Sequence, residues 1–433
     1  MHESGNSLTQ RFAASFFTED VKSFKKKSLA WAQKFSVVCA LDNNEYWNHK
    51  HQREEFLLGA GAETEITTDI NCFQSLQNFI SENQYHKFGF ICYDAKNEIE
   101  KLHSKNPDEL NFPLLHFFSP EVFIRLKGNE LVIESAKNNC AEIFQAIDSS
   151  ALSPIHESKS PVVYQRMSKD EYLQKVKAVQ EHIRQGDVYE LNLCLEFHCE
   201  NYSAEPLQLF FQLNEISPAP FSSFYKLKNK FLICSSPERF LGKQGDKIFS
   251  HPMKGTMPRG KNDADDLQLK HELRQSEKER AENVMIVDLV RNDLSRSCMA
   301  GSVKVEELFG IYSYPRVHQM VSTVSGTLRE EIKITDAIKN AFPMGSMTGA
   351  PKIRAMQLID ELENSRRGLF SGCVGYFNSE NDFDFNVVIR SILYDTEKNY
   401  LSFSAGSAIT IDSIAETEWE ECLLKAENIR RIL

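Results

Sequence analysis

The chain has 433 residues, 41% hydrophobic and 26% charged, with a formal net charge of −11. This is globular composition, long enough for one large domain or two to three smaller ones. The acidic balance gives no bulk attraction to nucleic acid or to an anionic membrane, so neither is expected as a partner, and a bound anion must be met by local cations and backbone N–H groups. No apolar run approaches a membrane span, and the polar start "MHESGNSLTQ" lacks a signal-peptide core, which predicts a cytoplasmic protein. Ten cysteines occur without a CxxC pair or zinc-type spacing, so free buried thiols in a reducing compartment are expected.

In chain order, "KFSVVCAL", "KFGFICYD" and "ELVIES" read as strands among polar turns and a few helices, making an N-terminal region of mixed strands and helices over 1–150. Residues from about 148 to 162 are rich in Ser and Pro without periodicity and read as a linker. A second region, 163–433, begins with a helix. Ser168 and Glu171 form a capping-box pair, Tyr172, Val176, Val179 and Ile183 share one face, and Gly186 ends it. "VYELNLCLEF", "FSSFYKL" and "KFLICSS" follow as strands, then late in the chain "SGCVGYFN", "DFNVVIRSILY" and "YLSFSAGSAITI". Helices interrupt the strands rather than alternate with them, which predicts an α+β fold with large antiparallel sheets. No GxGxxG or Walker A loop supports nucleotide binding.

Chemistry-bearing residues concentrate in the second region. "QSEKERAENVMIVDLVRNDLSR" predicts a helix from about Ser276, where Glu279 can close a capping box and Glu282 projects from the same side as Ile286 and Leu289. "AETEWEECLLKAENIRRIL" predicts a closing helix with Glu418, Glu421 and Lys425 on one face, suited equally to a solvated Glu–Lys stripe. If the two helices face each other, their carboxylates make an all-oxygen site suited to Mg²⁺. In "FPMGSMTGAPKIRAMQLIDEL", Pro351 fits the first helical position and leaves the N–H groups of Ser346 to Ala350 free for an anion. Arg390 reads as a buried strand arginine that meets a carboxylate, and Gly406 as a close backbone approach. Lys254, in "SHPMKGTMPRG", sits in a segment braced by Pro and Gly.

From Ser168 onward, "SSPERF", "PMKGTMPRG", "KERAENVMIVDLVRNDLSR", "GSMTGAPKIRAMQLIDELE" and "AETEWEECLLKAENI" occur in the order found in the chorismate-utilising enzymes. The chain resembles that family, which includes anthranilate synthase component I, aminodeoxychorismate synthase component I and the isochorismate and salicylate synthases. The resemblance implies the anthranilate synthase component I-like fold, a β-sandwich of two large antiparallel sheets with helices outside. It implies Mg²⁺ held by Glu282 and Glu421, with Glu279 and Glu418 acting through water. It makes Glu238 the general acid that protonates the departing C4 hydroxyl of chorismate. Gly255, Thr256, Ser346, Arg390, Gly406, Ser407 and Lys425 become substrate-binding residues, and His318 matches the family's active-site histidine.

"PMKGT" resembles the segment of members that make 4-amino-4-deoxychorismate, whereas those that make anthranilate carry alanine at the place of Lys254. The resemblance therefore implies amination of chorismate by ammonia, for 4-aminobenzoate and folate synthesis, with Lys254 as covalent nucleophile and a glutaminase partner as the ammonia source. Lys254 is expected to be neutral through desolvation or nearby cations. The alternatives are anthranilate synthesis, which Lys254 and the lack of an "LLES"-like tryptophan motif oppose, and a silent metal-binding scaffold on the same fold. Three positions depart from the family pattern: Glu190 stands where amine-using members usually have Gln, Phe370 replaces a frequent Tyr, and Ala408 a frequent Gly.

Overall fold

In the computed structural model, residues 11–46, 51, 54–152 and 160–433 are described. The first ten residues and the middle of the expected linker therefore lie outside the described residues. The twenty strands among those described pair only antiparallel. Antiparallel pairing needs no crossover helix, which is why helices interrupt the strand order instead of alternating with it.

Two runs of strands share a pair of long ones, Phe56–Thr68 and Leu115–Lys127. One run passes from Phe56–Thr68 through Val37–Asp42, Phe221–Leu227, Lys230–Ser236, Ser391–Asp395 and Tyr400–Ile409 to Glu190–Cys199. The other passes from Leu115–Lys127 through Lys87–Ile91, Cys373–Phe377, Phe383–Asn386, Arg239–Gln244 and Lys247–His251 to Val317–Thr327. The expected pair of sheets is thus one hydrogen-bonded network. The shared strands serve both runs, helped by a register break between Ala62 and Thr64. Strands from before and after residue 150 pair directly, Val37–Asp42 with Phe221–Leu227 and Lys87–Ile91 with Cys373–Phe377.

Most of the first run is buried on both faces, the second half of Phe56–Thr68 excepted. On the Glu190 strand, Leu191, Leu193, Leu195 and Phe197 enter one core cluster and Cys194 the other. Strands covered on both sides read as near-continuous apolar runs, so any polar residue within them is conspicuous. Helix Lys169–Arg184 starts where predicted, with Ser168 Oγ accepting from Glu171 N–H at 3.2 Å, and Gly186 follows it at φ +80°. All ten cysteines are free and buried. No described helix is long and apolar enough to cross a membrane.

A buried ion pair fastens the Glu190 strand to the turn Gly345–Met347. Arg367 donates to Glu363 through Nε at 2.9 Å and Nη2 at 2.6 Å, and to the carbonyls of Asn192 and Met347. Glu363 Oε1 in turn accepts from Cys194 N–H at 2.9 Å. The two side chains are 3% and 5% exposed, so removing one partner strands a buried charge. Arg367→Ala should cost about 3–5 kcal/mol of unfolding free energy in urea titration. The double change Arg367→Met, Glu363→Leu should recover most of that loss.

Candidate active site

Lys254 lies where strand Met253–Pro258 loses register against Val317–Thr327, between Met253 and Thr256. Gly255 completes this bulge at φ +88°, and a Cβ there would sit 2.9 Å from Glu279 Oε2. A bulge redirects one side chain out of the ladder. Lys254 Nζ donates to Glu190 Oε1 at 2.8 Å, with the two side chains 11% and 1% exposed.

Helix Glu277–Ser295 supplies Glu279 and Glu282, and helix Ala415–Ile432 supplies Glu421. Ser276 Oγ caps the first by accepting from Glu279 N–H at 3.4 Å, while the Glu279 side chain lies against Gly255. Burial pushes Glu282 up to about 7, aided by Glu279 and Glu190 and opposed by Lys254. Burial also raises Glu279, with Glu421 adding to the effect. Glu421 goes the other way. Burial would raise it, but Lys425, donating at 2.7 Å, holds it below the usual carboxylate range. Glu421 acts on Glu279 and Lys254 acts on both, so the carboxylates of the two helices lie within electrostatic reach of each other.

Glu238 sits between strands Lys230–Ser236 and Arg239–Gln244 and is 5% exposed. Burial pushes it up to about 7, against Ser346, Lys254 and Arg390. Ser346 Oγ is buried close by without a well-formed hydrogen bond. A small cleft opens beside Glu238 and Ser346, walled by Ile286, Val290 and Leu294. Asn192 Nδ2 holds the Ser346 carbonyl at 2.9 Å, and Lys425 Nζ donates to the Gly406 carbonyl at 2.8 Å. Gly406 admits no side chain: a Cβ would meet Asn192 Oδ1 and Cys194 Sγ at 2.5 Å.

Several expectations are corrected. Lys254 is not neutralised: burial lowers its pKa, but Glu190, Glu282 and Glu421 outweigh that and raise it. Two of the N–H groups after Ser346 are not free, because Met347 and Thr348 donate to the Met344 and Gly345 carbonyls. Pro351 is the cap before helix Lys352–Leu362, not its first residue. Arg390 is not within a strand. It stands at φ +50° just before Ser391–Asp395, and among the described residues it forms no ion pair, although Glu238 and Tyr314 raise its pKa against the larger effect of burial.

The other candidates divide. Thr256 is exposed and accepts from Gln319 Nε2 at 3.4 Å. The Ser407 hydroxyl meets Tyr172 OH at 2.9 Å in the core, which leaves only its backbone for a ligand. Both His318 ring nitrogens are engaged, Nδ1 with Ser313 and Nε2 with Asp266, each at 3.0 Å. Glu418 is buried at 3% exposure. Phe370 is core, and Ala408 lies opposite Asn192 in its strand pair. The sequence reading missed Asn192 and Arg367. Glu190 and Asn192 alternate within an apolar strand, a period-two signal that puts both on one face.

Among the described residues, no three His, Cys, Asp or Glu side chains close into a metal cluster. The donor chemistry nevertheless fits Mg²⁺, which takes one or two carboxylates and keeps its waters. Half-buried Glu282 and Glu279, both raised in part by neighbouring carboxylates, are the groups a cation would relieve.

The model of the family described as chorismate binding enzyme matches residues 36–431. Aminodeoxychorismate synthase component 1 of Escherichia coli (strain K12) is 42% identical over 268 residues, 62% of this chain and 58% of that protein. The protein of that name in Bacillus subtilis (strain 168) is 34% identical over 360 residues, 80% and 76% of the two chains. The chain spans under two-thirds of the E. coli relative and 29% of the probable aminodeoxychorismate synthase of Oryza sativa subsp. japonica, with which it is 43% identical over 263 residues, 60% of its own length. Anthranilate synthase component I from Streptococcus pneumoniae TIGR4 superposes at TM-score 0.77 with 25% identity, covering 90% of this chain and 96% of that one.

Glu238 gives a measurable signature. A carboxyl raised to about 7 binds its proton more tightly folded than unfolded, so the folded state loses stability as pH rises from about 4.5 to 7. Glu238→Gln should gain on the wild type by up to about 3 kcal/mol over that window, followed by urea unfolding at stepped pH. A pH-independent difference would show that Glu238 ionises normally. Fold and sequence agree: the chain belongs to the chorismate binding enzyme family.

Proposed function

We propose that this chain aminates chorismate at C4, giving 4-amino-4-deoxychorismate, with ammonia from a separate glutaminase. The observation that carries the reading is Lys254, buried and bulged out of its strand, whose charge acts on Glu238, Glu279, Glu282 and Glu421 while it bonds Glu190. The names of the E. coli and B. subtilis relatives support it.

Replacing the C4 hydroxyl with retention is awkward in one displacement. Once its ammonium has given a proton to water, Lys254 attacks C2 and its nitrogen becomes a secondary ammonium. The ring double bonds shift, the C4–O bond breaks, and Glu238 protonates the departing hydroxide, later regaining a proton from solvent. A carboxyl near 7 is a competent acid at neutral pH. Ammonia then attacks C4, the double bonds shift back, and lysine departs, so two displacements give net retention. Lys425, Arg390, Ser346 and the backbone at Gly255, Thr256, Gly406 and Ser407 hold the substrate's carboxylates. His318, fixed by Ser313 and Asp266, braces the strand beside Thr256. Mg²⁺ held by Glu282 and Glu421, with Glu279 and Glu418 behind it through water, would supply positive charge for a substrate carboxylate and would cancel part of the field that keeps Lys254 protonated.

Chorismate, a magnesium salt and an ammonium salt should yield 4-amino-4-deoxychorismate, seen as 4-aminobenzoate when a known lyase is added. Anthranilate as the main product would contradict the reading and favour the activity named for the S. pneumoniae structure. Glu282→Ala or Glu421→Ala should each lower turnover at least about a hundredfold. Near-normal turnover of folded Glu421→Ala would remove the metal assignment.

A further inference from the structure

Glu190 offers Lys254 only half of its carboxylate. Its Oε1 accepts from Lys254 Nζ at 2.8 Å, while Oε2 is buried and has no hydrogen-bond partner. The residue is 1% exposed. Its backbone is anchored, since Ala350 pairs opposite it and Tyr189 N–H donates to the Ala350 carbonyl at 2.7 Å. A buried carboxylate oxygen left unpaired is costly, so the position asks for a donor. Water would meet that need, but a small cation with N–H groups meets it better, because hydrogen bonds between ions are about twice as strong as neutral ones. A divalent ion is disfavoured there by the Lys254 ammonium on the other oxygen of the same group.

We propose that Glu190 Oε2 docks the nitrogen nucleophile as an ammonium ion and takes a proton from it, an inference that rests on the amination reading above. The geometry of the substrate matches. C2 and C4 of the ring are joined through one carbon, as are the two oxygens of one carboxylate. With Lys254 attached to C2 as a secondary ammonium beside Oε1, an ammonium on Oε2 stands next to C4. The ammonium gives one proton to Glu190. The ammonia so formed makes the C4–N bond with its lone pair, and the ring double bonds shift back. The C2–N bond breaks, its electron pair staying on Lys254. Glu190 then returns the proton to the freed amine and restores the starting ion pair, while the product leaves with a C4 ammonium. A glutamine at this position would offer neither the charge nor a proton acceptor.

The test is steady-state amination with ammonium chloride as nitrogen source, at fixed ionic strength and saturating magnesium. In Glu190→Gln, the half-saturating ammonium concentration should rise at least about tenfold, while that for chorismate moves less than about threefold. In the unaltered protein, potassium, a monovalent ion of similar size, should raise the ammonium requirement relative to equal sodium. This second arm needs no variant and decides the matter if Glu190→Gln does not fold. An unchanged ammonium requirement in folded Glu190→Gln, or indistinguishable sodium and potassium, overturns the role of Glu190 alone. Failure of the unaltered protein to aminate C4 at all overturns the amination reading and this inference with it.

Discussion

One buried lysine balances the site. Lys254 bonds Glu190 and influences Glu238, Glu279, Glu282 and Glu421, which come from one strand, two helices and the link between Lys230–Ser236 and Arg239–Gln244, two strands that do not pair with each other. Five carboxylates without that cation would repel each other. Burial alone would lower the pKa of Lys254, and the carboxylates more than offset it. The carboxylates therefore hold Lys254 charged, while Lys254 opposes without cancelling the rise that burial gives Glu238, Glu279 and Glu282. The bulge at Lys254 and Gly255 aims the amine. The ladder pairing of Glu190 with Ala350 aims its partner.

This balance also sets the problem that catalysis must solve. In the proposed reaction, a dianionic substrate would approach a cluster with more negative than positive side chains, and a lysine that must be neutral to attack would begin as a cation. Positive charge brought to Glu282 and Glu421 eases both difficulties at once. Two ion pairs tie together the elements that carry these groups. Arg367 and Glu363 tie the Glu190 strand to the turn that carries Ser346. Lys352 Nζ pins the end of the Glu282 helix through Asp293 at 2.6 Å.

Much of this was legible in the sequence where the signal is local. Ser168 and Ser276 announce their helices because a cap acts within three residues. The antiparallel α+β class follows from strand order, and the acidic helices from residue type. What was not legible depends on residues distant in the chain. The charge of Lys254 is set by Glu190, sixty-four positions away. Ser407 and Ala408 are adjacent in sequence but face opposite sides of a strand, so the Ser407 hydroxyl is spent on Tyr172. Arg390 reads as strand because its neighbours are apolar, yet its left-handed backbone breaks the ladder there. The turn after Ser346 satisfies two of its own N–H groups, which no helix-start pattern reveals.

The central claim is that Lys254 becomes bonded to the substrate. Intact-protein mass measurement with chorismate and Mg²⁺, and no ammonium, tests it most directly. The account predicts a gain equal to chorismate less water, mapped to the segment from Ser250 to Arg259 and absent in Lys254→Ala. No gain in the unaltered protein, together with wild-type amination by Lys254→Ala, would contradict it.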